Sequence, residues 1–230
     1  VNSAIHGAFA VLAALYYRRR PGEARNMALA QIETGASTIG EAFMEYFMNG
    51  RVIGTTGNRN PTMAPHNNYP CRGEEKWVSI AVKTDEEWRS FCDAIGNPPW
   101  TENARFSDRF DRLRNQDELD SLVSAWTMGY TYYEVMNTLQ KAGVAATPCL
   151  DLTERFSDPQ FESRETHLQV EHSATGVDII AGIPFKLSET PGEVRRPAPL
   201  IGEHNYYVFG NLLGKSEEEI AQLIADKVIY

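Results

Sequence analysis

The chain has 230 residues, with 22 Lys plus Arg against 31 Asp plus Glu, and so a formal net charge of −9. Apolar residues make up 42% and charged residues 23%. This is the composition of an ordinary folded domain and excludes a disordered tail, a collagen-like chain and a disulfide-dense miniprotein. The acidic balance also argues against a general nucleic-acid binder, which needs a basic face.

The first predicted element is a helix over residues 3–20. Ser3 is placed to cap it, and Ala8, Val11, Leu12 and Leu15 form one apolar face. Its last turn carries Arg18, Arg19 and Arg20, where cations suit the helix dipole. The apolar run Ala8 to Tyr17 is too short to span a bilayer, which takes about 20 residues. Val1, not Met, opens the chain and reads as the start of a fragment or a processed protein. Pro21-Gly22 breaks the helix, and a second helix is expected over residues 27–48, ended by Asn49-Gly50.

Residues 51–69 lack periodicity and carry Gly54, Gly57, Pro61 and Pro65. A loop of that length inside a folded unit is usually functional or a linker. Its best local candidate for a site is Pro61-Thr62-Met63-Ala64-Pro65-His66: two prolines stiffen it, and small side chains leave N–H groups open to an anion. A rigid linker accounts for the same residues.

A compact α+β unit follows. Residues 68–72 and 77–82 read as a hairpin turned at Gly73-Glu74. Thr84 to Glu87 and Thr131 to Glu134 are capping boxes, Ser107 opens another helix, and residues 116–126 are amphipathic. Residues 144–150 and 177–187 read as strands, with residues 169–171 able to pair with them. Residues 188–201 form an extended crossing segment, and two short helices start near Gly202-Glu203-His204 and at Ser216.

Known chemical motifs are absent. Neither GxGxxG, GxxxxGK[ST] nor GxSxG occurs, and the five histidines show no zinc-ligand spacing. Glu171-His172 reads as a solvated strand end and Glu203-His204 as a cap. Cys71, Cys92 and Cys149 form no CxxC pair and read as reduced thiols of a cytoplasmic protein.

Several pieces in order nevertheless resemble one family. Phe9 to Arg20 is similar to the helix of class III CoA-transferases that carries an Ala-Ala-Leu then Arg pattern. Gly57-Asn58-Arg59, Ala64-Pro65-His66, Tyr69-Pro70-Cys71-Arg72-Gly73, Trp77-Val78, Asp158-Pro159-Gln160-Phe161, Arg196-Pro197-Ala198-Pro199-Leu200 and Gly202-Glu203-His204-Asn205 follow the same pattern. The family includes formyl-CoA and carnitine CoA-transferases and α-methylacyl-CoA racemase.

The resemblance implies the C-terminal part of an α/β plus α+β fold that assembles as an interlocked homodimer. Residues 1–50 would be helices of the large domain, 51–65 a linker and substrate loop, 66–190 a small α+β domain, and 191–230 a return segment. It implies an acyl-CoA:carboxylate CoA-transferase acting through an aspartyl-CoA thioester. The partners are an acyl-CoA and a carboxylic acid acceptor, with no nucleic acid, membrane, metal or permanently bound cofactor; coenzyme A enters as the thioester substrate.

Aligned through Ala13-Ala14-Leu15, the family's aspartate falls immediately before Val1. No catalytic residue is therefore expected in this chain, and the chain alone is expected to be inactive. The family's glycine-rich loop falls on residues 60–64, which lack glycine here, so Thr62, Met63, Ala64, Pro65 and His66 would line the acyl side as a stiffer loop. A racemase is the competing activity. The base it needs would follow the strand at Ser79 to Val82, where Lys83-Thr84-Asp85 stand and Thr84 is a cap. A non-catalytic dimerisation module is the third reading.

Overall fold

The computed structural model describes residues 1–20 and 22–230; the Pro21 half of the expected Pro21-Gly22 break lies outside the described residues. The chain divides into two compact units, Val1–Thr147 and Pro148–Tyr230.

The first unit begins with α1 (Asn2–Arg18), α2 (Gln31–Ala36) and α3 (Gly40–Asn49). Ser3 does not cap α1. It lies one residue inside the helix, and its hydroxyl faces that of Thr34 at 2.8 Å. The single helix expected over 27–48 is instead α2 and α3, and Ala30 is extended. The break is local chemistry: Ser37 Oγ donates to the Thr34 carbonyl and Thr38 Oγ1 to that of Gly35, both at 2.8 Å, in competition with the backbone ladder. Gly50, at φ 67°, closes α3.

The body of the unit is a three-stranded sheet covered on one face by helices. Its strands are β1 (His66–Pro70), β2 (Trp77–Ala81) and β3 (Ala145–Pro148), in the order β1-β2-β3. β1 and β2 form the antiparallel hairpin, with Asn68 opposite Ser79. Alternation sends Val78 and Ile80 into the core and leaves Ser79 and Ala81 on the other face. The covering helices are α4 (Asp85–Ala94), α5 (Arg109–Arg114), α6 (Gln116–Thr127) and α7 (Tyr132–Lys141). Both predicted capping boxes form, Thr84 with Glu87 and Thr131 with Glu134. α5 starts one residue later than expected, because the Asp108 carboxylate, not Ser107, accepts the Asp111 N–H.

The core joins Tyr69, Val78, Ile80, Val82, Phe91, Phe106, Leu119, Val123 and Leu139. Trp88 stacks on Phe91 at 5.5 Å between ring centroids. Arg112 is also fully buried here, its guanidinium 4.9 Å from the Trp88 ring centre. It donates to the Ala64 carbonyl (2.9 Å), the Phe106 carbonyl (3.3 Å) and Asp85 Oδ1 (2.7 Å). A buried cation is tolerated only with such partners.

The second unit holds α8 (Leu152–Ser157), α9 (Pro159–Ser163), an antiparallel pair β4 (His167–His172) and β5 (Gly176–Ala181), a π-helix (Tyr206–Leu212) and α10 (Glu217–Ala225). The strand expected over 177–187 stops at Ala181, and residues 169–171 pair with it but not with the first sheet. At Gly182 the backbone lies so close to the Glu165 carbonyl that a Cβ would collide with it, and Pro184 has no N–H for a ladder. The helix expected near Gly202 starts later and is a π-helix. Among the described residues, no helix is long and apolar enough to cross a membrane.

Candidate functional site

The loop before β1 is tied down at each step. Asn60 Oδ1 accepts the N–H (2.8 Å) and the hydroxyl (2.9 Å) of Thr62, and Asn60 bridges to Met63. The Ala64 N–H donates to the Val82 carbonyl (3.1 Å), and the Val82 N–H returns to the Pro65 carbonyl (2.9 Å). The hairpin ladder thus continues past β1 and β2, and Arg112 pins the Ala64 carbonyl from the core. The Ala64–Pro65 peptide is cis.

Of the sequence-predicted residues, Thr62 is exposed, Met63 half-buried, Ala64 and Pro65 buried, and His66 half-buried. The N–H groups of Thr62 and Ala64 are not open to an anion, because Asn60 and Val82 already accept them. Ala64 is fully buried and belongs to the core rather than to an exposed loop.

His66 stands apart from the other four. It lines a cavity of about 530 Å³, within the usual size range of small-molecule sites. The floor is the sheet face turned away from the core, with Asn68, Ser79, Ala81, Ala145 and Thr147, and Gly57-Asn58-Arg59 form a rim. Alternation built this floor: strand positions facing the helices are large and apolar, and those facing the cavity are small or polar.

The polar groups are ordered. His66 Nδ1 lies 2.6 Å from the Asn58 carbonyl oxygen. A carbonyl only accepts, so Nδ1 carries the proton and Nε2 of the neutral ring is an acceptor. Ser79 Oγ donates to Asn68 Oδ1 at 2.6 Å. Arg59 donates from a single nitrogen, Nη2, to Asp117 (2.6 Å) and Asp120 (2.9 Å). Asp120 is nearly buried and also accepts from Asn67 Nδ2 (3.2 Å) and the Tyr69 hydroxyl (2.6 Å). The bonds to Asp117 and then Asp120 hold the Arg59 guanidinium above its usual pKa. Burial, followed by the bond to Asp120, pushes the Tyr69 hydroxyl up.

Sequence reasoning missed Arg59, Asp120 and Arg112 as site-building residues. Gly57-Asn58-Arg59 stood out only as a family-like tripeptide, and Arg112 sits in an arginine-rich helix that reads as solvated. Among the described residues, no group of three or more His, Cys, Asp or Glu could hold a metal ion.

Comparisons with known proteins agree with one another. The chain is 31% identical over 227 residues to a succinyl-CoA–D-citramalate CoA-transferase of Chloroflexus aurantiacus, across 99% of this chain and 56% of that protein. It is 25% identical to a formyl-CoA:oxalate CoA-transferase of Rhodopseudomonas palustris, across 96% and 57% respectively. In fold it is similar to a CAIB/BAIF family protein from Brucella suis, with a TM-score of 0.81 at 21% identity over 92% of this chain and 54% of that one. The chain therefore spans about half the length of the curated relatives it matches. With the model of CoA-transferase family III matching residues 1–205, the chain belongs to that family.

Proposed function

We propose that the chain is part of an acyl-CoA:carboxylate CoA-transferase that works through an aspartyl-CoA thioester. The observation that carries this reading is the family match over residues 1–205. In the proposed sequence a carboxylate attacks the donor thioester, giving a mixed anhydride and a CoA thiolate. The thiolate returns to form the enzyme thioester and releases the donor acid. The acceptor carboxylate then attacks, and a second anhydride delivers the new acyl-CoA. Water exclusion matters because both anhydrides hydrolyse.

Two partly buried carboxylates of this chain have other roles: Asp85 pairs with Arg112, and Asp120 accepts three donors. The nucleophile is contributed from outside residues 1–230. In the same reading, residues 1–50 and 191–230 belong to a large domain and 66–190 to a small one, and two copies form an interlocked, cytoplasmic homodimer. Thr62 to Pro65 form the stiff wall that positions His66 on the acyl side. Thr84 is committed to its cap, an observation that favours transfer over racemisation.

The test is turnover by the repurified 230-residue chain with a panel of acyl-CoA donors and carboxylate acceptors. No transfer is expected from the chain alone. Transfer that survives repurification, or a CoA-thioester adduct mapped by mass spectrometry to an Asp or Glu of this chain, overturns the placement of the nucleophile.

A further inference from the structure

The cavity above the sheet has an uneven chemistry. Its lining includes one Arg and one His but no Asp, Glu or Lys, in a chain with 31 acids and 22 bases. Arg59 spends only Nη2 on Asp117 and Asp120. Its Nε and Nη1 donors make no hydrogen bond among the described residues, and the side chain is 39% exposed at the rim. A guanidinium held from one side by a carboxylate is pre-oriented, and its planar fork suits a second carboxylate.

The neighbouring group has the opposite character. His66 Nδ1–H is committed to the Asn58 carbonyl, so Nε2 of the neutral ring accepts a proton donor. Between and beyond these groups the wall is apolar or small, with Ile80, Ala81 and Ala145. The complementary molecule carries a carboxylate, a hydroxyl beside it and a short aliphatic tail.

We propose that this cavity binds a short-chain 2-hydroxycarboxylate, with Arg59 holding the carboxylate, His66 Nε2 accepting the hydroxyl proton, and the tail lying along Ile80, Ala81 and Ala145. Asp120 offsets part of the Arg59 charge, so the site suits one carboxylate rather than a doubly charged anion such as phosphate. Asp117, with 93% of its side chain exposed, competes with the ligand for the guanidinium. Asp120 is the positioning residue, held by Tyr69 and Asn67.

The proposal rests on the transferase reading only where it identifies this acid with the acceptor. The site is tested on the 230-residue chain, without turnover, by NMR titration with 2-hydroxybutyrate, butyrate and inorganic phosphate. The expected order is 2-hydroxybutyrate, then butyrate, then phosphate. Shifts should be confined to residues 57–68, 79–81 and 145–147. Arg59→Gln should weaken 2-hydroxybutyrate about tenfold or more, as loss of a charge-assisted pair does. Arg59→Lys, which keeps the charge and supports Asp120, guards against a folding artefact and should lose less.

His66→Phe should erase the preference for the hydroxy acid while leaving butyrate binding in place. Asp117→Asn should strengthen carboxylate binding a few-fold. Equal binding by Arg59→Gln and the parent, phosphate binding as tight as the acid, or an unchanged hydroxyl preference in His66→Phe overturns the site. Binding as described, with 2-hydroxybutyrate inert as acceptor in an assembled transferase, overturns only its identification with the acceptor. Transfer to 2-hydroxybutyrate without binding here removes the site and keeps the transferase.

Discussion

The α1–α3 region and the sheet-and-helix body of the same unit differ in what holds their helices. α4 buries Trp88, Phe91 and Cys92, and α6 buries Leu119 and Val123. α1, at 17 residues the longer helix, buries none, and Phe9 and Leu12 are 74% and 67% exposed. Helical periodicity is present in both. Only in the second does it correspond to a packed face, which is where most helix stability arises. An apolar stripe is therefore a record of what a helix can bury, not of what it buries in this chain, and a stripe left open marks a surface for further contact.

Substitution should separate the two regions. The largest effect is expected in the body: Phe91→Ala leaves a cavity and Arg112→Ala orphans the Ala64 and Phe106 carbonyls, each costing about 3–5 kcal/mol in urea unfolding. A loss below 1 kcal/mol for both would mean that the core does not govern stability. Next comes the tie from β1 to α6. Tyr69→Phe removes a hydroxyl donor from the Asp120 carboxylate and should cost about 1.5–3 kcal/mol, as bonds to charged groups do. Hydrogen exchange should quicken along residues 66–70 if that bond is what fastens the strand.

A smaller effect is expected at a helix start. Thr131→Ala removes one half of a capping box, worth about 1 kcal/mol. Bonds from the Thr131 backbone and side chain hold the Glu134 carboxyl below its usual pKa. A depressed folded value means that the charged carboxylate is favoured in the native state. Its contribution is present above the unfolded value and lost as pH falls through the folded one. The penalty of Thr131→Ala should therefore shrink on acidification below about pH 4, and a pH-independent penalty would show that the carboxylate plays no part. Smallest of all, Leu12→Ala in α1 should change stability of this chain by no more than about 0.5 kcal/mol. A cost comparable with Phe91→Ala would erase the contrast between the regions.

The site was legible in outline. The long aperiodic stretch, its two prolines and His66 pointed to the correct neighbourhood of the cavity, because loops that lack periodicity are conspicuous in sequence. Its working groups were less visible. Thr62 and Ala64 looked like open N–H donors, but a side chain two residues away and a carbonyl in the next strand take those protons. Arg59 and Asp120 are 61 positions apart, and no local pattern joins them.

What the sequence determined by itself was the set of short-range decisions. The boxes at Thr84, Thr131 and Ser216 form because cap and partner lie three residues apart and meet whenever the helix does. The β1–β2 hairpin pairs because the strands are adjacent and alternate in character. Family membership was also legible, as a series of short motifs in order. Only the tertiary structure decided that Arg112 is a core residue, that Ala64 is buried, and that β1, β2 and β3 bring residues 57–68 and 145–147 to one cavity. Helix and turn signals act over about four residues, whereas burial and pairing depend on partners tens of residues away, which the chain meets only once it has folded.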